Sequence, residues 1–395
     1  MIIYRLGLVA AVVAAGVGLA SPALAADGSA SISGGILSFT AGAGTVNSVA
    51  VRLVGANYTV DDTAPIVPGA GCLHPGADPT LVHCKAAGVT EIRLWTLDGN
   101  DFLDYLTPTF SRLFGGDGND RIIGGSGMDW LFGGNGNDTL NGWSGDDQFY
   151  WDAGADTLIG GSGWDYVIFK DAPAGVTMDP DGVADDGVSG EGDNIGTDIE
   201  RLEGSAFNDW VIGSDVDNEL FGGGGSDILL GLGGNDDLYG DMGSGTRGAD
   251  YFSGGPGFDE VSYSDHDSSS PVIADLDGVS GDDGSSGEGD TIASDVEALW
   301  GSEAADWLIG NDSDNTINGG YGDAGDIIIG YGGNDSLNGW GGPDYILGGD
   351  GNDSIWGAEG DDTLRGDNHS DTLNGGPGTD SCDLGPGGTS MTACE

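Results

Sequence analysis

Aspartate and glycine recur in a nine-residue frame through the stretch from Gly115 to Phe169. Six units follow one another without a gap, with glycine favoured at positions 1, 2 and 4 and aspartate at position 6. Glycine adopts the positive φ that tight turns need, and a glycine-rich turn exposes its carbonyl oxygens. Carbonyl and carboxylate oxygens are the ligands that a hard cation such as Ca²⁺ prefers, and it takes about six to eight of them. One turn offers too few, so the pattern predicts ions that are shared between stacked turns.

A large apolar residue occupies position 8 of each unit. The residues around it can extend as a short strand, in which alternation points the middle side chain inward. A fixed period with one inward residue per unit predicts a solenoid, whose repeats bury one another. The predicted inward residues are Ile122, Leu131, Leu140, Phe149, Leu158, Val167, Val211, Leu220, Leu229, Leu238, Val261, Leu308, Ile317, Ile328, Leu337, Ile346, Ile355, Leu364 and Leu373.

The same frame returns in two further blocks downstream. It slips at residues 240–248, where extra residues precede Asp250, and two extra residues precede Asp326. Asn218 and Asn315 replace the aspartate, and we expect weaker cation binding at those turns. The candidate metal ligands are the in-frame carboxylates of Asp120, Asp129, Asp138, Asp147, Asp156, Asp165, Asp209, Asp227, Asp236, Asp250, Asp259, Asp306, Asp326, Asp335, Asp344, Asp353, Asp362, Asp371 and Asp380.

These nonapeptides resemble the G-G-x-G-x-D-x-U-x repeat of the RTX, or hemolysin-type calcium-binding, family. The resemblance covers residues 115–383, with breaks at two inserts. It implies an all-β fold, a parallel β-roll in which two nonapeptides make one turn and Ca²⁺ lies between successive loops. Mapped onto this chain, it adds as ligands the carbonyl groups of Gly116, Gly118, Gly125 and Gly134.

The composition is strongly acidic, with 66 Asp and Glu against 10 Lys and Arg, a formal net charge of −56, and 80 glycines among 395 residues. So much negative charge argues against binding to nucleic acid or to an anionic membrane surface. It also predicts repulsion in the folded state unless cations bind. We therefore expect Ca²⁺ as the cofactor and a largely unfolded chain in its absence.

The N-terminus has the pattern of a secretory signal peptide. Arg5 is followed by an apolar segment at residues 6–20, and Ala23-Leu24-Ala25 matches a cleavage site. The prediction is an extracellular protein with no membrane insertion after cleavage. An oxidising compartment also suits the cysteines. We expect a Cys72–Cys84 disulfide, with a zinc site that includes His74 and His83 as the alternative.

Two acidic inserts divide the repeats, and they are copies of each other. Residues 181–193 match 277–290, and the segments that follow align at a constant offset of 97 residues. The inserts fail the ligand pattern of an EF-hand loop. A solvated excursion and an additional calcium loop remain alternatives for them.

Cys382 and Cys394 enclose the last loop, and we expect a disulfide that caps the open end of the solenoid. A link between two molecules is the alternative.

The predicted organisation is a signal peptide at 1–25, a β-rich N-terminal cap region at 26–114, repeat blocks at 115–169, 204–263 and 301–383, acidic inserts at 170–203 and 264–300, and a C-terminal cap at 384–395.

No catalytic motif stands out in the chain. It has no H-E-x-x-H and no G-x-S-x-G, and its four histidines are scattered. The predicted function is therefore a secreted calcium-binding roll, not an enzyme, with a structural or adhesive role. One alternative is a polysaccharide-acting enzyme that uses Asp or Glu pairs on the roll, and the other is an adhesin that binds a cell-surface glycan or protein through the roll face. Indoles in or beside the turns could stack on sugars, or they could cover the flanks of the roll and stack on neighbouring turns. These residues are Trp130, Trp143, Trp164, Trp210, Trp307, Trp340 and Trp356.

Overall fold

Short strands separated by tight turns make up the computed structural model of the chain, which describes residues 27–242 and 247–394. The predicted signal peptide, residues 1–25, lies outside the described residues. Within them there is no helix, and hence none that is long and apolar enough to cross a membrane. The predicted all-β fold is confirmed.

The first twenty strands are β1 (Gly28–Ser33), β2 (Ile36–Thr40), β3 (Ser48–Val54), β4 (Asn57–Asp61), β5 (Ile66–Pro68), β6 (Cys72–Leu73), β7 (Leu81–Lys85), β8 (Glu91–Asp98), β9 (Phe102–Leu106), β10 (Ser111–Asp117), β11 (Arg121–Ile123), β12 (Asp129–Asn135), β13 (Thr139–Ser144), β14 (Gln148–Tyr150), β15 (Thr157–Ser162), β16 (Tyr166–Ile168), β17 (Val176–Met178), β18 (Gly187–Val188), β19 (Asn194–Ile195) and β20 (Arg201–Glu203). The remaining strands are β21 (Trp210–Ile212), β22 (Glu219–Gly223), β23 (Ile228–Leu230), β24 (Asp237–Asp241), β25 (Tyr251–Ser253), β26 (Glu260–Ser262), β27 (Val272–Asp275), β28 (Gly284–Ser285), β29 (Thr291–Ile292), β30 (Ala298–Trp300), β31 (Trp307–Ile309), β32 (Thr316–Asn318), β33 (Ile327–Gly332), β34 (Ser336–Asn338), β35 (Tyr345–Asp350), β36 (Ser354–Trp356), β37 (Thr363–Asn368), β38 (Thr372–Asn374), β39 (Ser381–Asp383) and β40 (Ser390–Thr392).

Successive strands alternate between two faces, and each pairs in parallel with the strand one coil later. On one face Leu113 lies beside Leu131 and Leu131 beside Phe149, each pair 18 residues apart (131 − 113 = 149 − 131 = 18). One coil of the roll therefore contains two nonapeptides, as the resemblance implied. This face is one sheet of eighteen strands that runs from β1 to β40.

The opposite face consists of three sheets, and it changes sheet at the acidic inserts. The nine-stranded sheet ends at β19, the six-stranded sheet runs from β17 to β29, and the seven-stranded sheet begins at β27. In each insert a short antiparallel pair, β17 with β18 and β27 with β28, closes the coil. The inserts are therefore built into the roll, and the duplication predicted from sequence is visible as two equivalent sets of strands.

The core is a single stack of apolar side chains between the two faces. Every predicted inward residue is buried, with at most 5% of its surface exposed. A half-coil contributes a strand of only two to eight residues, which would be a marginal core in isolation, but parallel neighbours cover both edges of each strand inside the stack. The alternation of residue types along the sequence thus determines which side chains fill the roll.

The N-terminal region is β-rich, as predicted, and its strands cover the first coil. β1 and β2 form a hairpin, and β3, β4, β7 and β6 form an antiparallel set. The parallel stack already begins at β8 and β9, upstream of Gly115, because β8 pairs with β10 and β9 with β11. The turn between β8 and β9, at residues 99–101, belongs to this first coil.

Both predicted disulfides are present. Cys72 on β6 lies opposite Cys84 on β7, and the two side chains are bonded. The alternative zinc site is therefore wrong, because both thiols are used. Cys382 and Cys394 are also bonded, within one molecule, and they tie β39 to the end of the chain beyond β40.

Candidate metal centre

The in-frame aspartates stand where each turn ends and the next strand begins. Each lies two residues before an inward apolar side chain, so alternation points the carboxylate toward the edge of the core. All nineteen predicted aspartates are buried, with at most 5% of their surface exposed. Carboxylates are rarely buried without a partner. The groups around these nineteen carboxylates must therefore compensate the cost of burying them.

One oxygen of each carboxylate holds successive coils together. The backbone N–H of Asp120 donates to Oδ1 of Asp138 at 2.6 Å, and the N–H of Asp138 donates to Oδ1 of Asp156 at 2.7 Å. On the other face the N–H of Asp129 donates to Oδ1 of Asp147, and that of Asp147 to Oδ1 of Asp165, at 2.8 and 2.9 Å. The carboxylates thus form two rows along the roll, which we call the aspartate rows. The backbone N–H of each of these aspartates therefore finds its acceptor on the coil that follows.

The second oxygen of most of these carboxylates has no hydrogen-bond partner. Asp129, Asp209 and Asp306 are exceptions, because backbone N–H groups of Gly125, Ser205 and Ser302 donate to their Oδ2 atoms. A buried oxygen without a partner is costly and marks a place where a ligand belongs. Within the described residues, the buried Oδ2 atoms without a partner include those of Asp120, Asp138, Asp147, Asp165, Asp227, Asp236, Asp250, Asp259, Asp335, Asp344, Asp353, Asp362 and Asp371.

Glycine at position 1 leaves an open cradle in front of each free oxygen. A Cβ on Gly115 would overlap Oδ2 of Asp120 and the carbonyl oxygen of Gly133, one coil away. The same two groups surround Gly142, as Oδ2 of Asp147 and the carbonyl oxygen of Gly160. Each cradle therefore brings together a carboxylate and a carbonyl from the next coil. An all-oxygen donor set of this kind fits Ca²⁺.

Glycine at positions 2 and 4 lets the carbonyls of stacked turns approach closely. Gly116, Gly118 and Gly134 have φ values of 115°, 138° and 105°. The carbonyl oxygen of Gly116 points at the Cα of Gly134, and a side chain on Gly134 would collide with it. Gly125 differs from these three in that its φ is not positive. Its carbonyl oxygen accepts the N–H of Ser144 at 3.3 Å.

Burial and mutual repulsion raise the pKa values of the row carboxylates. The pKa of Asp147 is raised to about 8, by burial first and by the charges of Asp129 and Asp165 next. The pKa of Asp344 is also raised to about 8, by burial and by Asp326 and Asp362. Such shifts mean that the rows hold their full negative charge only when a cation compensates it.

The two asparagines in the frame keep the geometry but leave no oxygen free. The side-chain oxygen of Asn218 accepts the N–H of Ser214 at 2.6 Å, and its Nδ2 donates to the carbonyl of Glu200 at 3.2 Å. Asn315 makes the equivalent bonds with Asn311 and Glu297. Both side chains are satisfied within the protein. The expectation of weaker cation binding there stays a prediction.

Five acidic residues outside the predicted set extend the rows. The N–H of Asp165 donates to Oε2 of Glu200, and the N–H of Asp156 donates to Oδ1 of Asp193. Glu297 and Asp290 do the same in the second copy of the insert, and Asp101 begins one row. Each precedes an inward apolar residue by two positions, and this spacing is the signal that would have found them.

The tryptophans divide between stacked and exposed positions. The guanidinium of Arg112 lies 4.3 Å from the ring centroid of Trp130, and Trp340 packs against Tyr321 at 5.0 Å. Trp143, Trp210 and Trp307 expose 52% of their surface. Trp164 and Trp356 are also exposed. Stacking on neighbouring turns therefore accounts for some of the predicted aromatic positions and leaves the others open to solvent.

Comparison with known families identifies the repeat. The RTX calcium-binding nonapeptide repeat, described as four copies, matches residues 113–149, 152–170, 194–215, 212–246, 300–323, 321–355 and 347–382. The matched segments contain both aspartate rows and most of the cradles. No curated protein matches the chain.

Proposed function

Because this chain belongs to the RTX calcium-binding repeat family, we propose that it is a secreted protein whose roll folds on Ca²⁺ and has a non-catalytic, structural or adhesive role. Calcium binding by an all-β roll is the established part of this description. Secretion, coupling to folding and the role of the folded roll are the parts that need experiments.

The observation that carries the proposal is the set of buried carboxylate oxygens without partners. We assign Ca²⁺ to the cradles, with the nineteen in-frame aspartates as ligands; in thirteen of them a buried Oδ2 without a partner is the ligand atom. Carbonyl oxygens of the glycine turns complete the set, at the predicted Gly116, Gly118, Gly125 and Gly134 and at position-1 glycines such as Gly133. Bound Ca²⁺ supplies the positive charge that permits these carboxylates to ionise inside the roll.

The residues of the chain prepare each site before an ion arrives. The N–H of the preceding coil fixes Oδ1, and this bond turns Oδ2 toward the cradle. Extracellular calcium modules bind with Kd values of about 10⁻⁴–10⁻³ M. At millimolar Ca²⁺ each site would stabilise the fold by about 0.5–1.5 kcal/mol. Ten or more such sites would together match the stability of an ordinary domain.

Secretion is supported by two independent features. Residues 1–25 have the sequence pattern of a signal peptide, and all four cysteines of the chain are in disulfides, which persist in oxidising compartments. Proteins of the RTX family are also generally secreted. An extracellular location would supply the millimolar Ca²⁺ that weak sites require.

The adhesive version of the role is supported by the exposed indoles. Trp143, Trp210 and Trp307 each expose about half of their surface beside the turns. Indole faces stack on sugar rings, so a glycan is the partner that these positions favour. Immobilised glycans probed with the calcium-loaded chain should retain it, and a triple Trp→Ala variant should be released.

The experiment that tests the proposal is far-UV circular dichroism of the chain from Ala26, titrated with Ca²⁺ and, separately, with Mg²⁺. We expect a coil spectrum in EDTA and a cooperative change to a β spectrum with Ca²⁺. Mg²⁺ should not substitute, because it prefers small octahedral sites and gives up its water reluctantly. A β spectrum that is already complete in EDTA and unchanged by Ca²⁺ would refute the coupling of folding to calcium.

A further inference from the structure

A different kind of cluster is buried beside the second acidic insert. Asp241 at the end of β24, His266 and Glu288 bring one ligand atom each to within 4.8 Å of one another. His266 has 3% of its surface exposed and Glu288 has 8%. The imidazole Nε2 lies 3.9 Å from Oε1 of Glu288. This separation is too long for a hydrogen bond but leaves room for an ion between the two atoms.

A chain of hydrogen bonds determines which nitrogen of His266 is free. The Oγ of Ser285 lies 3.3 Å from the carbonyl oxygen of Ser270, to which it can only donate. Nδ1 of His266 lies 3.0 Å from the same Oγ, and it must then be the donor. A neutral imidazole with its proton on Nδ1 presents a lone pair at Nε2. This is how metal-binding histidines are commonly oriented.

Each of the two carboxylates also presents an oxygen to the same space. Oδ1 of Asp241 is buried and finds no hydrogen-bond partner among residues 27–242 and 247–394. Oε2 of Glu288 accepts the N–H of Ser285 at 2.5 Å, and this bond orients Oε1 toward His266. Three lone-pair donors thus converge, and the only hydrogen bond that Oε1 accepts from the described residues comes from Nη1 of Arg247 at 3.3 Å. Nε2 of His266 and Oδ1 of Asp241 have no hydrogen-bond donor there, and a cation would satisfy both.

The first copy of the module provides an internal comparison. There β14, β16 and β20 occupy the places of β24, β26 and β30. By this equivalence Ala172 stands at the position of His266, Val188 at that of Ser285 and Trp151 at that of Gly240. In the first copy the indole N–H of Trp151 donates to Oε2 of Glu191, the counterpart of Glu288. The second copy has therefore exchanged an indole and two apolar side chains for glycine, histidine and serine.

We propose that Asp241, His266 and Glu288 bind one divalent transition-metal ion of the Zn²⁺ class, at a site separate from the calcium cradles. An imidazole nitrogen with two carboxylates is a ligand set for Zn²⁺ and its neighbours, whereas Ca²⁺ takes oxygen ligands. Nη1 of Arg247 lies 3.3 Å from Oε1 of Glu288 and compensates one of the two carboxylates. The site keeps a net negative charge, which favours a cation.

The ion has a route to this site from solvent. Glu288 lines a cleft with Arg247, Ser269–Pro271 and Ser285–Gly287. A water molecule from this cleft would supply the fourth ligand that three-ligand zinc sites take. The site is therefore accessible in the folded roll, and metal exchange does not require unfolding.

The test is a Zn²⁺ titration of the chain from Ala26, without a histidine tag, by calorimetry in millimolar Ca²⁺. We expect one Zn²⁺ per chain, and Co²⁺ in its place should give visible d–d absorption. His266→Ala should weaken Zn²⁺ binding at least tenfold. Loss of a residue that only orients a metal ligand typically costs about 10–100-fold in affinity, and loss of the ligand itself should cost no less. This variant carries the residue that stands at the equivalent position of the first copy, Ala172. The calcium-induced change in its circular dichroism spectrum would confirm that it folds.

Two matched controls separate this site from others in the chain. His369→Ala removes an exposed imidazole, and Glu191→Gln removes the counterpart carboxylate; neither should change Zn²⁺ affinity, whereas Glu288→Gln should reduce it. Zinc binding that survives His266→Ala unchanged would overturn the assignment. Absence of Zn²⁺ binding to the calcium-loaded chain, or displacement of Zn²⁺ by added Ca²⁺, would overturn it equally.

Discussion

At the scale of the residue, each in-frame aspartate uses its two oxygens differently. In most of them Oδ1 accepts a backbone N–H of the preceding coil, and Oδ2 faces a cradle that contains no protein donor. The native Asn218 and Asn315 instead accept an N–H of their own turn and donate Nδ2 to a carbonyl of the preceding coil, and they carry no charge. The carboxylate is therefore needed for cation binding and is unfavourable without a cation, because burial raises its pKa. The same side chain should stabilise or destabilise the roll according to the calcium concentration.

Asp344→Asn should change the stability of the roll in opposite directions with and without Ca²⁺. At pH 7.5 in millimolar Ca²⁺ we expect a loss of about 0.5–1.5 kcal/mol, the contribution of one weak site. In EDTA at the same pH we expect a larger ordered fraction, because one buried carboxylate with a pKa of about 8 is gone. Urea unfolding followed by circular dichroism measures both effects.

Asn315→Asp is the matched reverse of this substitution, at an in-frame position of the same block. It should stabilise the roll in Ca²⁺ and destabilise it in EDTA. If both variants shift stability in one direction regardless of calcium, Oδ2 does not face an ion.

At the scale of the element, the turns depend on how closely their backbones stack. Gly136 has a φ of 138°, and its Cα faces the carbonyl oxygen of Gly118. Position 2 of the frame has a positive φ in many turns, including some where the residue is not glycine, such as Leu232 and Tyr331, with φ values of 72° and 71°. The turn geometry is therefore imposed by the stack and is not a local choice of glycine.

Gly136→Ala should destabilise the calcium-loaded roll by about 2–5 kcal/mol. Overpacking costs about 1–3 kcal/mol and a positive φ for alanine about 1–2 kcal/mol. The matched control is Gly55→Ala, which has a φ of 62° but nothing within 4 Å of the new Cβ. Gly55→Ala should lose only the ~1–2 kcal/mol that a positive φ costs for alanine. Equal shifts of the urea midpoint for the two variants would show that the carbonyl contact is unimportant.

Much of the roll could be predicted from the nine-residue frame, because period and alternation act locally. The inward row and both disulfides followed from residue type and spacing, whereas the pairing of nonapeptides into coils followed from the resemblance to the RTX repeat. Glu200 and Glu297 fall outside the nine-residue frame, because glutamate replaces aspartate outside a glycine turn, and only their position two residues before Leu202 and Leu299 marks them. The cluster at His266 was also missed, since Asp241 and Glu288 are 47 residues apart and only the coil brings them together.

At the scale of the whole molecule, the aspartate rows make pH and Ca²⁺ alternative ways to neutralise the core. In the folded roll without metal the pKa values of Asp138, Asp227 and Asp335 are raised to about 7, 8 and 7, first of all by burial. In the unfolded chain an aspartate titrates near its ordinary value of about 3.9. Between these limits the folded state binds more protons than the unfolded state.

The calcium-free roll should therefore be most stable in acid and lose stability as the pH rises. The stabilising protons are fully bound below about pH 4 and are lost as the pH rises through 7 to 8, where the folded-state groups ionise. Circular dichroism in EDTA should show β structure at about pH 4 that disappears by about pH 8. With saturating Ca²⁺ the signal should persist at pH 8. A calcium-free roll that gains structure toward alkaline pH would contradict this account.

The direction of the bonds in the aspartate rows gives the assembly a growing end. Within a repeat block the in-frame aspartate N–H donates forward, to a carboxylate about 18 residues further along the chain, so this bond cannot form from residues that precede it. During synthesis from the N-terminus, these N–H groups have no partner until the next coil emerges. The last coil of the nascent roll therefore always has unsatisfied N–H groups. The aspartate rows end close to Cys382, and its disulfide with Cys394 closes the final loop of the roll.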